Sequence, residues 1–285
     1  MAESLIVVGE TDRGTRRPDN QDAILLHAPC FAVADGAGGH ADGALAAETA
    51  IAALNEFIEH SDPAGLDVVE AVMAAHWAVH TRAGDTDGTA RMATTLTFGM
   101  VRRAGADLSV ELGHVGDSQG FLVSDGRIMQ LTRDHTVVAE LVERGQLSEA
   151  DASRHPLRNA LTRCLGQRQP LQVDRVSWPL HHGDQVLLAS DGLKKHLSIQ
   201  DVLKIVMSSP TPQHTVAELV AETNRRGGSD NVSVVCVKVD GEPTGPRFDQ
   251  SASIRGTRET AELLIVPPQD NTPAPVKQRG RWWRR

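Results

Sequence analysis

The stretch Phe31-Ala32-Val33-Ala34-Asp35-Gly36-Ala37-Gly38-Gly39-His40 constrains this chain more than any other. It opens as a short apolar run, which reads as a buried strand. It then breaks into Asp-Gly and Gly-Gly, where the backbone can turn sharply and approach a ligand closely. The small residues from Ala44 to Ala53 read as a helix. A strand that ends in a carboxylate and passes through glycines into a helix suits a cation or a phosphate. A fold for this chain must bury that strand and supply partners for Asp35.

The flanking segments alternate in clusters. Leu5 to Val8 and Ala23 to Leu26 read as strands before the central stretch. Gly43 to His60 and Leu66 to Thr81 carry apolar residues at helical spacing. Strand-like runs return at Thr94 to Arg102, Leu108 to His114, Gly120 to Ser124 and Arg127 to Leu131, with Asp125-Gly126 as a hairpin turn between the last two. Asp134 to Gln146, Ser148 to Arg154 and Leu157 to Leu165 read as short helices of an insert over a sheet edge. Gln185 to Ala189 is a strand, Ser198 to Met207 and Thr215 to Arg225 are helices, and Val232 to Val239 is the last strand. Strands in clusters with paired helices between them predict an α+β sandwich, two packed antiparallel sheets covered by helices on their outer faces. The pattern alone leaves other mixed folds open.

Composition narrows the class. The chain has 285 residues, 40% hydrophobic and 23% charged, with a formal net charge of −8. That balance argues against a general nucleic-acid binder, which needs a basic surface, and fits acidic side chains gathered around cations. Cys30, Cys164 and Cys236 are far apart and form no paired motif. They read as reduced, half-buried cysteines of a cytoplasmic protein. No apolar stretch is long enough for a membrane span, and Leu5-Ile6-Val7-Val8 is too short for a signal peptide. After Asp240 prolines accumulate and periodicity fades, so 241–285 is expected to be a disordered basic tail. Its end, Arg279 to Arg285, reads first as an unstructured terminus and second as a docking peptide for a partner or an anionic membrane surface. His76 and His80 lack the intervening Glu of a zinc protease and read as one face of a helix.

Asp-Gly occurs six times, at Asp35, Asp42, Asp87, Asp125, Asp191 and Asp240. Most such pairs are turns. Asp35 and Asp191 differ because each ends an apolar run, and a carboxylate there is costly unless paired or bound to a cation. Asp22 and Asp230 precede apolar runs, and Asp117 follows Leu112 to Gly116. Five strand-end aspartates suggest a shared metal centre, although spacing does not show that they converge.

Val33 to His40 resembles a signature of the metal-dependent serine/threonine protein phosphatases, the protein phosphatase 2C family. Six further segments resemble that family's signatures in its order. They are Thr11 to Gly14 with Arg17 to Asp22, His114 to Ser118, Leu131 to His135, His155 to Asn159, Ser190 to Leu193 and Gly228 to Asn231. One such segment is a weak signal; seven in order, across about residues 4 to 239, are a strong one.

The resemblance implies a catalytic domain over 1–240, an α-β-β-α sandwich with a flap at about 134–159. It implies hydrolysis of phosphoserine and phosphothreonine in proteins by a water activated between two Mn2+ or Mg2+ ions. Carried over by position, Asp35 would bridge both ions and Gly36 would ligate one through its carbonyl. Asp191 and Asp230 would complete the first ion's shell, Asp22 would support the second ion through water, and Asp117 would help hold a third, weaker ion. Arg17 would bind the substrate phosphate. Phosphorylated proteins and a bacterial serine/threonine kinase would be the partners. Ala37 stands where animal members often carry a histidine assigned as general acid, which leaves the leaving-group proton donor unassigned. Lys194-Lys195 follows Ser-Asp-Gly-Leu, where neutral or acidic residues are common. The pair reads as a solvated turn, or alternatively as an attractant for acidic phosphopeptides. A different class of reading is a weakly active or inactive regulator that keeps the fold to bind phosphoproteins. All six functional side chains are present, which favours the enzyme.

Overall fold

The computed structural model describes residues 5–37, 41–62, 64–84, 92–167 and 170–240. Gly38, Gly39 and His40 of the central stretch, and the tail over 241–285, lie outside the described residues. In chain order the elements are β1 (Leu5–Asp12), β2 (Asp22–His27), β3 (Cys30–Ala37), α1 (Ala41–His60), α2 (Val68–Ala83), β4 (Ala93–Thr94), β5 (Leu96–Ala104), β6 (Asp107–Val115), β7 (Gln119–Ser124) and β8 (Arg127–Gln130). They continue with α3 (Val137–Glu143), α4 (Glu149–Ala152), β9 (Asp174–Leu180), β10 (Gln185–Ala189), α5 (Asp191–Lys194), α6 (Ile199–Ser208), α7 (Pro212–Arg225) and β11 (Val232–Val239).

The strands form two antiparallel sheets. One has the order β1-β11-β10-β7-β8; the other has β2-β3-β5-β6-β9, with β4 paired to β3. The central strands are apolar on both faces because both faces are covered. Along β3, Phe31 and Val33 face the other sheet, together with Leu112, Leu122, Val186, Leu188, Val235 and Val237. The alternate residues Ala32 and Ala34 face α1, whose Ala46, Ala47 and Ala50 let the helix lie close to the strand. β10 and β11 repeat the arrangement. Leu187, Ala189, Val234 and Cys236 pack under Val206, Leu219 and Val220 of α6 and α7. Each fully buried Val, Leu or Phe contributes about 1.5–3 kcal/mol, so the sheet–sheet interior anchors the strands whose ends build the site.

Local signals agree with this layout. Asp67 caps α2 by accepting from the Val69 and Glu70 N–H groups, and Ser198 and Asp201 form a capping box on α6. Asp125 and Gly126 both take positive φ, 52° and 71°, as a two-residue hairpin between β7 and β8 requires. His76 and His80 stack on one face of α2.

Three expectations are corrected. Leu157 to Leu165 is not a helix. Its backbone pairs with distant segments instead, through the bridges Thr136–Leu161 and Thr94–Leu165 and the Thr162 N–H donating to the His135 carbonyl. The spacing of Leu157, Leu161 and Leu165 imitates a helical face. β9 was not anticipated. It is an edge strand on β6, and Pro179 and the charged Asp174 and Arg175 mask its alternation. Cys30, Cys164 and Cys236 are free, as expected, but buried rather than half-buried. The segment from Leu131 to Val173 joins β8, at the edge of one sheet, to β9, at the edge of the other. Among the described residues no helix is long and apolar enough to cross a membrane.

Candidate active site

The strand-end carboxylates come together at one rim of the sandwich. Asp22 and Asp35 stand directly opposite each other in the β2–β3 pair. In the other sheet Asp191 follows β10, Asp230 precedes β11, and Asp117 lies just before β7, whose Gln119 pairs with Ala189. The two sets meet across the sheets. Ser190 and Ser233 both donate to Asp22 Oδ2, at 2.7 and 2.8 Å. The other Asp22 oxygen, Oδ1, is buried without a hydrogen-bond partner.

Charge crowding is the main electrostatic fact of this rim. Burial, then the charges of Asp22, Asp191 and Asp117, hold the Asp35 carboxyl well above the ordinary range. Burial pushes Asp22 up to about 7; the two serine hydroxyls pull it down, and Asp191 and Asp230 push it up again. Asp191 is also raised, chiefly by burial, with Lys195 opposing. Asp230 goes the other way. Burial raises it, but hydrogen bonds from Arg17 and Lys195 outweigh that.

Asp35 is fixed by its backbone. Its N–H donates to Thr95 Oγ1 at 3.0 Å, and its carbonyl accepts from the Thr95 N–H at 2.8 Å and from Thr94 Oγ1 at 3.0 Å. Gly36 follows at the end of β3, where an added Cβ would fall 2.2 Å from the Gly43 carbonyl oxygen. Only glycine lets the strand end approach the start of α1 this closely. Gly192 has the same role opposite, since a Cβ there would fall 1.9 Å from the Asn231 carbonyl oxygen.

Arg17 lies half-exposed beside the rim. Its Nη2 donates to Asp230 Oδ2 at 2.8 Å, and its Nε lies 2.6 Å from Asp230 Oδ1, a two-pronged grip. Both lysines depart from expectation. Lys194 Nζ lies 2.7 Å from Asp134 Oδ2 and 3.3 Å from Asp117 Oδ2. Lys195 Nζ lies 2.5 Å from Asp191 Oδ2 and 2.6 Å from Asp230 Oδ2. This corrects the solvated-turn reading. Burial lowers the pKa of each lysine, and the surrounding carboxylates raise it by more.

Sequence reasoning missed several supporting residues. Asn231 fastens the Arg17 loop. Its Nδ2 donates to the Arg13 and Asp19 carbonyls at 2.9 and 2.8 Å, and its Oδ1 accepts from the Gln21 N–H at 3.0 Å. Its place beside Asp230 was the available signal. His135 holds the loop before Asp117, accepting the Gly116 N–H on Nδ1 at 3.1 Å. Burial lowers its pKa, and because Nδ1 accepts from Gly116 the ring's proton sits on Nε2, 3.1 Å from Asp174 Oδ2. Nothing near His135 in sequence points to Gly116 or Asp174.

The donor set is hard oxygen, the kind that suits Mg2+ or Mn2+. Among the described residues no ready-made group of three or more His, Cys, Asp or Glu side chains is set to hold a metal ion. Lysine ammonium groups supply the counter-charge instead. The unpartnered Asp22 Oδ1 and the mutually raised aspartates nonetheless fit a centre that takes cations.

A protein phosphatase 2C family profile matches residues 11–223. The serine/threonine protein phosphatase PstP of Mycobacterium tuberculosis is 35% identical over 234 residues, covering 80% of this chain and 44% of that protein. The chain therefore spans under half the length of that curated relative. The serine/threonine phosphatase stp of Listeria monocytogenes is 32% identical over 248 residues, covering 81% of this chain and 94% of the relative. Among solved structures, the catalytic domain of the serine/threonine protein phosphatase PstP in complex with two manganese ions is similar with a TM-score of 0.73 at 31% identity. It covers 84% of this chain and 100% of that one.

Proposed function

The chain belongs to the protein phosphatase 2C family, and from that premise we propose that it hydrolyses phosphoserine and phosphothreonine in proteins with two divalent cations, Mn2+ or Mg2+. The observation that carries this reading is the meeting of Asp22 and Asp35 from one sheet with Asp117, Asp191 and Asp230 from the other, beside Arg17. The M. tuberculosis and L. monocytogenes relatives are named serine/threonine phosphatases, and the PstP catalytic domain holds two manganese ions.

Asp35, the Gly36 carbonyl, Asp191 and Asp230 would hold the ions, with Asp22 supporting them through water. When bound, such ions supply a water nucleophile at neutral pH and neutralise charge on the phosphoryl oxygens. The chain's own residues do the rest. Arg17 exchanges its two-pronged contact with Asp230 for the phosphate, whose oxygens match the same fork. Asn231 keeps Arg17 in place by fastening both ends of its loop. Thr94 and Thr95 hold the Asp35 backbone so that the carboxylate stays aimed at the rim. Lys195 offsets part of the charge of Asp191 and Asp230.

In this reading residues 1–240 form the catalytic domain, and 134–159 is a flap that shapes access to the rim. The protein acts in the cytoplasm on phosphoproteins and opposes a serine/threonine kinase. The full chain should hydrolyse p-nitrophenyl phosphate and a phosphothreonine peptide with Mn2+ or Mg2+. Activity should stop with EDTA and vanish in Asp191→Ala. Metal-independent turnover, or none in the presence of Mn2+, would overturn the proposal.

A further inference from the structure

Lys194 closes the short helix that Asp191 opens, and its side chain reaches across the rim. The ammonium lies 2.8 Å from the Asp117 carbonyl oxygen, 3.3 Å from Asp117 Oδ2 and 2.7 Å from Asp134 Oδ2. Three oxygen acceptors from two chain segments thus meet the three N–H donors of one ammonium. Asp117 is the residue at which the family resemblance implies a third, weaker ion.

We propose that Lys194 is a built-in cation seated between Asp117 and Asp134, so that the centre loads two divalent ions and excludes a third. The proposal rests on the two-ion reading above. Its physical basis is that the seat already holds one positive charge and that three of its oxygens already accept from that ammonium. A divalent ion arriving there would have to displace a cation that cannot diffuse away, since Lys194 is tethered three residues from Asp191. It would also meet a like charge at close range, in a partly buried place where solvent screens poorly. Lys195 differs because it holds Asp191 and Asp230, the side chains required by the two-ion centre, and it must give way when those ions bind. Lys194 can stay.

The arrangement has a mechanical consequence. Asp134 lies at the root of the segment that leads into α3, and Lys194 ties that root to Asp117 at every metal concentration. Removing the ammonium would free a seat built from the Asp117 carboxylate and carbonyl and from Asp134, whose Oδ1 is buried without a partner.

The test counts bound Mn2+ by equilibrium dialysis of the full chain, with free Mn2+ read by electron paramagnetic resonance. The wild type should saturate at two ions per chain. Lys194→Met should gain a third, weaker ion, and adding Asp117→Asn to that variant should return the count to two. A wild type that binds three ions and drops to two in Asp117→Asn overturns the proposal, whether or not Lys194→Met folds. A folded Lys194→Met that stays at two also overturns it. A wild-type count below two overturns the two-ion function itself, and this proposal with it.

Discussion

Replacing Asp22 with asparagine should remove a pH dependence from the stability of the metal-free protein. Asp22 ionises at about 7 in the folded chain against an ordinary 3.8, mainly because it is buried. A carboxyl that holds its proton more tightly when folded stabilises the fold fully below about 3.8. That contribution is lost as the pH rises through about 7. The interval is worth ~4 kcal/mol at ~1.36 kcal/mol per pH unit. Asp35 and Asp191 compete for the same protons, which brings the share that follows Asp22 to ~2 kcal/mol. Asparagine resembles the protonated form. Its oxygen can accept from Ser190 and Ser233 as Asp22 Oδ2 does, and it carries no charge toward Asp191 and Asp230. The measurement is urea unfolding in EDTA between about pH 5 and pH 8, extrapolated linearly to water. The wild type should lose ~2 kcal/mol relative to Asp22→Asn across that range, and saturating Mn2+ should cancel the loss in the wild type only. Parallel stability curves for the two proteins in EDTA would refute the reasoning, because they would show that Asp22 is ionised throughout.

Two further outcomes follow from the site's geometry. Arg17→Lys keeps the charge but loses the fork that grips two oxygens, so kcat/KM for a phosphothreonine peptide should fall about 10- to 100-fold, the worth of one charge-assisted hydrogen bond; steady-state kinetics at saturating Mn2+ would show it, and an unchanged value would remove Arg17 from phosphate binding. Asn231→Ala strips three backbone partners from the Arg17 loop and should cost about 2–3 kcal/mol in thermal or urea unfolding, with KM rising more than kcat falls.

The sequence showed most of what a strand or helix decides for itself. β3 was legible because a strand buried on both faces is a continuous apolar run, and α6 because Ser198 is a ready N-cap at its start. The convergence of Asp22, Asp35, Asp117, Asp191 and Asp230 was legible only through family resemblance, since spacing along a chain does not fix which strand ends share a rim. What the sequence hid has a common cause. Lys194 and Lys195 look solvated among their neighbours, yet their partners Asp117, Asp134 and Asp230 come from other loops. Leu157 to Leu165 has helical spacing, but its backbone groups are claimed by Thr94, His135 and Val137. β9 is weakly patterned because β6 supplies the register that its own residues do not. In each case a long-range partner overrode a local preference.

Asp35 lies near the end of β3 and Asp191 follows β10, strands whose inner faces share one apolar filling, with Phe31 and Val33 on one side and Val186 and Leu188 on the other. The sandwich therefore behaves as a jaw whose gape is set by its stuffing. Shaving a methylene from Leu188 would act on the separation of two acidic tips that Leu188 never touches. Under the two-ion proposal, discrimination between cations of different radius would depend in part on oily residues deep inside, out of reach of any substrate.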